Sequence, residues 1–309
     1  MSKKINWAKR AQELKKRYPE HFSEELREHH ASLAELHDAA LQKNQDAGKT
    51  LYAVTGALAN HPLHAPEIFK LVHAALRANQ DAGETLREAS STLARRPQHA
   101  KQLFELAHEA IQKEQNAGKT LSEARQALAE HPRHATEIFK LAHATLQKNQ
   151  CAWIMLKAAR EALDKHSQHA TEIFKLAHAT LQKNQDAAGT LYSATGTLAK
   201  HPQHAQEIFK LAHAALQKNQ NAWTTLNAAH AALYRYPQFA AEIFKLAHAT
   251  QQKNQDARLT LGTASEALDE HAPEKIFEVA HAALARNLNA AQAIRNYVKT
   301  MKGRKWARK

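Results

Sequence analysis

Apolar residues recur along this chain with the period of an amphipathic helix, in short blocks separated by turn signals. Between Pro62 and Gln80 they fall at Ala65, Ile68, Phe69, Val72, Ala75 and Leu76, which share one helical face. A second block follows at Ala82, Leu86, Ala89 and Leu93, again one face. Pro62 marks the turn into the first helix, where a missing N–H costs little. Asn79-Gln80-Asp81 marks the turn into the second, with Asp81 as N-cap and Glu84 in position to complete a capping box.

This pair of helices is one unit of a repeat. The seventeen letters HATEIFKLAHATLQKNQ run from His134 to Gln150 and again from His169 to Gln185. Phe69, Phe104, Phe139, Phe174, Phe209 and Phe244 stand 35 residues apart, as do Pro62, Pro97, Pro132, Ser167, Pro202 and Pro237. The last unit is two residues shorter, and the first, around EHHASLAELHDAALQKNQ, is degenerate. Neither helix of a unit can bury its stripe alone; stacking on the neighbouring unit does so. The expected fold is therefore an all-α solenoid of about eight 35-residue helix-turn-helix repeats. A basic cap helix is expected over residues 1–17, the array over 18–301 and a basic tail over 302–309.

Composition agrees with this. Hydrophobic residues make up 43% but aromatics only 6%, so the apolar content is mostly Ala and Leu, which favour helices. The net charge of +13 favours a polyanionic partner: nucleic acid, an anionic surface or an acidic protein. The single cysteine, Cys151, rules out an intrachain disulfide and a Cys-based zinc site. No run of eighteen apolar residues spans a membrane, and the basic start lacks the apolar core of a secretory signal, so an intracellular monomer is expected. There is no Gly-rich phosphate loop, nucleophile elbow or HExxH, so neither catalysis nor a cofactor is expected.

The repeats supply their own internal comparison. The first helix hardly changes; the second changes at three columns spaced i, i+4 and i+7, which share a face. The first column is Gly48, Gly83, Gly118, Trp153, Ala188, Trp223 and Arg258. The second is Tyr52, Arg87, Ser122, Lys157, Tyr192, Asn227 and Gly262, and the third Thr55, Ser90, Arg125, Arg160, Thr195, His230 and Ser265. A face that varies over a constant core reads as a binding surface, with Trp153 and Trp223 as anchors; drift of a solvated face, or Trp packing between repeats, reads equally from the letters. Lys43, Lys113, Lys148, Lys183, Lys218 and Lys253 form a column beside the turn with no acidic residue at i−3 or i−4, save Glu109 before Lys113. Such a ladder suits a phosphate backbone and also plain solubility. The turn residues Asp81, Asn116, Asp186 and Asn221 are good N-caps and need no partner to explain them, whereas Cys151 in the same column caps poorly. Three histidine columns track the repeat and read as packing rather than as a metal centre, since no cysteine or carboxylate cluster joins them.

The hairpin resembles the tetratricopeptide/pentatricopeptide repeat superfamily. Ala240, Phe244 and Ala247 have its small–aromatic–small spacing, Trp223, Leu226 and Asn227 stand where it places Trp, Leu and Gly, and Leu261-Gly262 is the dipeptide itself. The family's Pro at the end of the second helix is absent; Pro sits between the helices. The resemblance implies a superhelix with a groove that binds protein or RNA. A second resemblance is to TAL-effector-like DNA-binding repeats, in EIFKLA followed by NQDAGKTL. It implies base-reading residues at Asp46, Asp81, Asn116, Cys151, Asp186, Asn221 and Asp256, and phosphate contacts at Lys49 and Lys119. The first helix here is about a turn longer than in that family, and its Gly becomes Trp153, Ala188, Trp223 or Arg258.

The expected function is binding. Nucleic acid, DNA or RNA, is favoured along a basic groove, with the lysine column, the turn residues and Trp153, Trp223, Arg87, Arg125, Lys157 and Arg160 as its contacts. The alternative is a tetratricopeptide-like scaffold for an acidic or amphipathic peptide.

Overall fold

The structure, a computed structural model, describes residues 5–306. Among them are seventeen α-helices and no strand. One helix, α1 (Trp7–Arg17), comes first. Eight helical hairpins follow: α2 (His30–Gln42) with α3 (Ala47–Asn60), α4 (Ala65–Arg77) with α5 (Ala82–Arg95), α6 (Ala100–Gln112) with α7 (Ala117–Glu130), and α8 (Ala135–Gln147) with α9 (Ala152–His166). Then come α10 (Ala170–Gln182) with α11 (Ala187–Lys200), α12 (Ala205–Gln217) with α13 (Ala222–Arg235), α14 (Ala240–Gln252) with α15 (Ala257–Leu268), and α16 (Pro273–Ala285) with α17 (Ala290–Trp306). The chain is an all-α solenoid. Residues 1–4 of the expected cap helix and 307–309 of the expected tail lie outside the described residues.

Packing divides the chain into two units, one up to Lys157 and one from Ala158. In the first, α1 packs on α2, and two layers follow: the first helices α2, α4, α6 and α8, and the second helices α3, α5 and α7. In the second unit the layers are α10, α12, α14 and α16 against α11, α13, α15 and α17. Leu, Ile, Phe and Ala columns between the layers are buried in every repeat, among them Ile68, Leu106, Phe139, Leu176, Ile208 and Leu246.

The turns explain the constant letters KNQ. Lys43 is the C-cap of α2, and Asn44 follows in the left-handed region with φ 53°. The Gln45 N–H then donates to Ala40 O at 2.9 Å and the Asn44 N–H to Leu41 O at 3.0 Å, the paired bonds of a Schellman end. The same left-handed position holds Asn in every hairpin except at Glu114. Asn tolerates that region and Glu does so poorly. Asp46 then caps α3, its Oδ1 accepting from the Lys49 N–H at 2.9 Å.

The glutamine between these two caps joins neighbouring repeats. Gln45 Nε2 donates to Gln80 O at 2.7 Å while its Oε1 accepts from the Ala82 N–H at 3.1 Å. Gln80 does the same to Gln115 O at 2.8 Å and the Ala117 N–H at 3.0 Å. Gln115, Gln185 and Gln220 repeat the pattern, and Gln255 ends it on Leu288 O and the Ala290 N–H.

Pro273 opens α16 directly, but the prolines of the 35-residue column, Pro62, Pro97, Pro132, Pro202 and Pro237, do not open the α-helices. Each begins a short 3-10 turn, such as Pro62–His64, three residues ahead of the α-helix. The residue before proline is held away from helical geometry, so α7 stops at Glu130 before His131 and Pro132. Ser167 replaces proline after α9, and that helix runs on to His166, one residue further than its equivalents. One core position is also irregular. Gln251 stands where other repeats have Leu146, Leu181 and Leu216; it is 1% exposed, with Oε1 unpartnered and Nε2 donating to Leu211 O at 3.3 Å.

Thermal or denaturant melts of point variants test this account. Gln80→Ala removes two inter-repeat hydrogen bonds and is expected to lower stability by about 1–3 kcal/mol. Glu114→Asn, which relieves a left-handed Glu, and Gln251→Leu, which removes a buried unpaired oxygen, are each expected to raise it by about 1 kcal/mol. A neutral Gln80→Ala, or a destabilising Gln251→Leu, contradicts it.

Candidate functional site

The lysine column lies at the turns. Lys43, Lys113 and Lys148 in the first unit, and Lys183, Lys218 and Lys253 in the second, are the C-cap residues of the first helices. All six are exposed, and among the described residues none pairs with a carboxylate. Their position beside the carbonyl ends of helices is electrostatically favourable in itself. Two reach one repeat along: Lys183 Nζ donates to Asn219 Oδ1 at 3.0 Å and Lys253 Nζ to Asn287 Oδ1 at 2.8 Å. Ala78 interrupts the column and Arg286 continues it at the C-cap of α16.

The Asp/Asn column sits next to these lysines, at the N-caps of the second helices. Asp81 Oδ1 accepts from the Glu84 N–H at 2.7 Å, Asn116 from Lys119 at 2.7 Å, Asp186 from Gly189 at 2.9 Å and Asn221 from Thr224 at 2.9 Å. Capping thus occupies one oxygen of each. Cys151 holds the equivalent place before α9, half-buried, its carbonyl accepting from the Met155 N–H at 3.1 Å. Caps and lysines together line open hollows along the turns. One of about 860 Å³ is lined by Lys43, Asp46, Lys49 and Asp81, and one of about 540 Å³ by Lys218, Asn221, Asp256 and Arg258.

The three variable columns do not share one fate. In the first column Trp153 is half-buried, with Lys119 Nζ 5.3 Å from its ring centre. Trp223 is 42% exposed. The residue that corresponds to Lys119 one repeat before Trp223 is Gly189, which has no side chain to lie over the ring. The second column is the open one: Tyr52 is 73% exposed, Arg87, Tyr192 and Asn227 are exposed, and Lys157 is half-buried. The third column is covered. Thr55, Thr195 and Ser265 are buried, and Arg125 and Arg160 half-buried. The reason is the chain reversal beside it, where the residue before each 3-10 turn leans onto the next repeat. His61 Nε2 lies 3.1 Å from Ser90 O, His166 Nε2 lies 3.3 Å from Thr195 O, and Tyr236 OH donates to Ser265 O at 3.3 Å. Arg125 Nε stands 3.4 Å from Glu88, and Arg160 3.7 Å from Asp164. The i, i+4, i+7 face is therefore open along much of the second column, open in the first only at Trp223 and Arg258, and closed at the third.

The two lysines implied by the TAL-effector resemblance are also engaged: Lys49 Nζ bonds Asp81 at 3.0 Å and Lys119 covers Trp153. The glutamine bridges and left-handed asparagines were not singled out from the sequence, although the recurrence of KNQ at residues 43–45, 148–150, 183–185, 218–220 and 253–255 was visible there. In the first unit, Lys49, Tyr52, Gly83 and Arg87 line an open groove of about 1110 Å³, whose other wall is the segment from Glu20 to His29.

The histidine columns pack. His64 lies on Phe104, His99 on Phe139, His169 on Phe209 and His204 on Phe244, with ring centres 5.5–5.9 Å apart. His143 bonds Glu109, and His248 Nε2 lies 3.1 Å from Glu207. No helix of the described residues is long and apolar enough to cross a membrane. Comparison with protein-family models, with curated proteins and with solved structures finds no match to this chain.

Burial pushes His21, His108, His166, His201, His213, His248 and His281 below the ordinary histidine value of 6.5. The unfolded chain then takes up protons at a higher pH than the folded one. The stability contributed by these neutral rings is fully present above about pH 6.5 and is lost as pH falls through that value. The melting temperature is expected to be level from pH 7.5 to 8 and to drop steadily from pH 6.5 to 5. A level profile across pH 5–8 contradicts this.

Proposed function

We propose that this protein binds nucleic acid without catalysis or cofactor, holding the phosphate backbone along the turn edge of each unit. The observation that carries the reading is the row of exposed, carboxylate-free lysines: Lys43, Lys113 and Lys148 in one unit, Lys183, Lys218 and Lys253 in the other. They stand beside the N-termini of the second helices, whose dipoles also favour anions. The net charge of +13 supports the same partner class. Exposed side chains of the first two columns, Trp223, Arg258, Tyr192, Tyr52 and Arg87, supply surfaces for stacking and for discrimination. Trp153, Arg125 and Arg160 act in this reading through the repeats that carry them, since neighbours cover them. The finer resemblances, to pentatricopeptide and TAL-effector-like repeats, agree with this reading and leave DNA and RNA equally open. One observation favours a tetratricopeptide-like peptide scaffold instead: the open groove of the first unit, with Tyr52 in its lining.

Fluorescence anisotropy with single- and double-stranded oligonucleotides across a salt series tests the reading. Affinity is expected to fall steeply with salt. Lys183→Gln, Lys218→Gln and Lys253→Gln combined are expected to reduce the log–log slope by about 3, one per lost phosphate contact. Absence of binding at about 50 mM salt ends the nucleic-acid reading. Trp223→Ala with unchanged affinity removes Trp223 from the interface.

A further inference from the structure

The groove of the first unit has a charge pattern unlike the rest of the molecule. Its floor is formed by Tyr52, Ala53, Gly56, Ala59, Leu26 and Pro62. One wall carries Lys49 and Arg87, the other Glu20, Glu25 and Glu28. The two cations are neutralised locally: Lys49 Nζ lies 3.0 Å from Asp81, and Arg87 3.5 Å from Glu88. The carboxylates are not. Glu25 has no ion-pair partner among the described residues, and all three are exposed. Glu20 and Glu28 face only His21 at 3.4 Å and His29 at 3.3 Å. Burial lowers His21 below the ordinary histidine value, which favours its neutral form. In a chain with 43 Lys or Arg and 30 acidic residues, this apolar trough therefore presents a wall of three carboxylates that pair with no Lys or Arg among the described residues, beside Glu24, which pairs with Lys15 and Arg27.

The same chain carries a segment of the complementary chemistry. From Val279 to Lys309 there is no Asp or Glu and there are eight Lys or Arg. Five of these, Lys302, Arg304, Lys305, Arg308 and Lys309, fall in the last eight residues, together with Trp306. The backbone is helical through Trp306 as the end of α17. An apolar trough with one acidic wall recognises a basic helix that carries an aromatic anchor.

We propose that this groove docks the basic C-terminal segment of a second copy of the chain, making a heterologous contact between copies. Groove and tail are different surfaces, so each contact leaves a free tail and a free groove, and association is concentration-dependent. The contact draws on cations distinct from the turn lysines and stands or falls independently of nucleic-acid binding.

A fluorescent peptide of residues 296–309 tests it, added in trace amounts to the full-length protein. Anisotropy is expected to show saturable binding, weakened at least about tenfold by Glu20→Gln, Glu25→Gln and Glu28→Gln together. Gly56→Phe adds a ring in the groove lining at a position where a Cβ meets nothing within 4 Å. It is expected to abolish binding while circular dichroism and melting temperature stay unchanged. The peptide with Trp306→Ser is expected to bind at least about tenfold more weakly. Sedimentation velocity is expected to show the full-length chain forming dimers or larger species as its concentration rises, and Gly56→Phe remaining monomeric. Equal binding of a scrambled peptide of the same composition overturns the proposal, because it shows diffuse charge attraction only. So does peptide binding that the groove variants leave intact, or a full-length chain that stays monomeric at every concentration.

Discussion

Within each unit, one glutamine per turn ties a hairpin to the one that follows. Its amide donates to the carbonyl of the same glutamine in the following repeat and accepts from an N–H at the start of the following second helix. The N–H belongs to a helix start that has no partner within its own helix, and the carbonyl to the turn between the two helices. Leucine and phenylalanine columns drive stacking but permit sliding, because apolar contact is not directional. The bidentate glutamine sets the register. It is placed by two local devices, the left-handed asparagine before it and the N-cap residue after it, so KNQ followed by Asp or Asn works as a single structural phrase.

The same register decides which variable positions meet solvent. A residue in the first column lies against the third residue of the second helix one repeat earlier. Gly118, for instance, has its Cβ direction 3.3 Å from Glu84 Cγ. Exposure in this column therefore depends on a neighbour 34 residues away as much as on the residue itself. Lys119 covers Trp153, and Gly189 leaves Trp223 open. The third column is closed by the histidines and tyrosine that lean across at the chain reversal. The surface left for recognition is narrower than the variable letters suggest, and it is edged by turn lysines on one side.

Charge is distributed unevenly over this frame. The first helices carry local Glu–Lys pairs such as Glu137 with Lys140, at 2.9 Å, which contribute little at an exposed site. Among the described residues the turn lysines have no such partners, and Glu20, Glu25 and Glu28 near the N-terminus pair with no Lys or Arg. These two uncompensated regions are where partners of opposite charge gain most.

The helical period, the 35-residue repeat, the caps and the core columns were all legible in the letters, because each rests on spacing within a few residues or on exact recurrence. Asp81 reads as an N-cap from the sequence and is one. The roles of Gln45 and its equivalents, the cover over Trp153, the closure of Arg125 and the acidic groove were not legible. Each joins residues about 30 or more apart whose distance depends on how hairpins stack. The sequence by itself determined a stack of helical hairpins with a constant core and a basic turn column. Tertiary structure alone decided which variable side chains are free to bind, because exposure belongs to a pair of neighbouring repeats and not to either one.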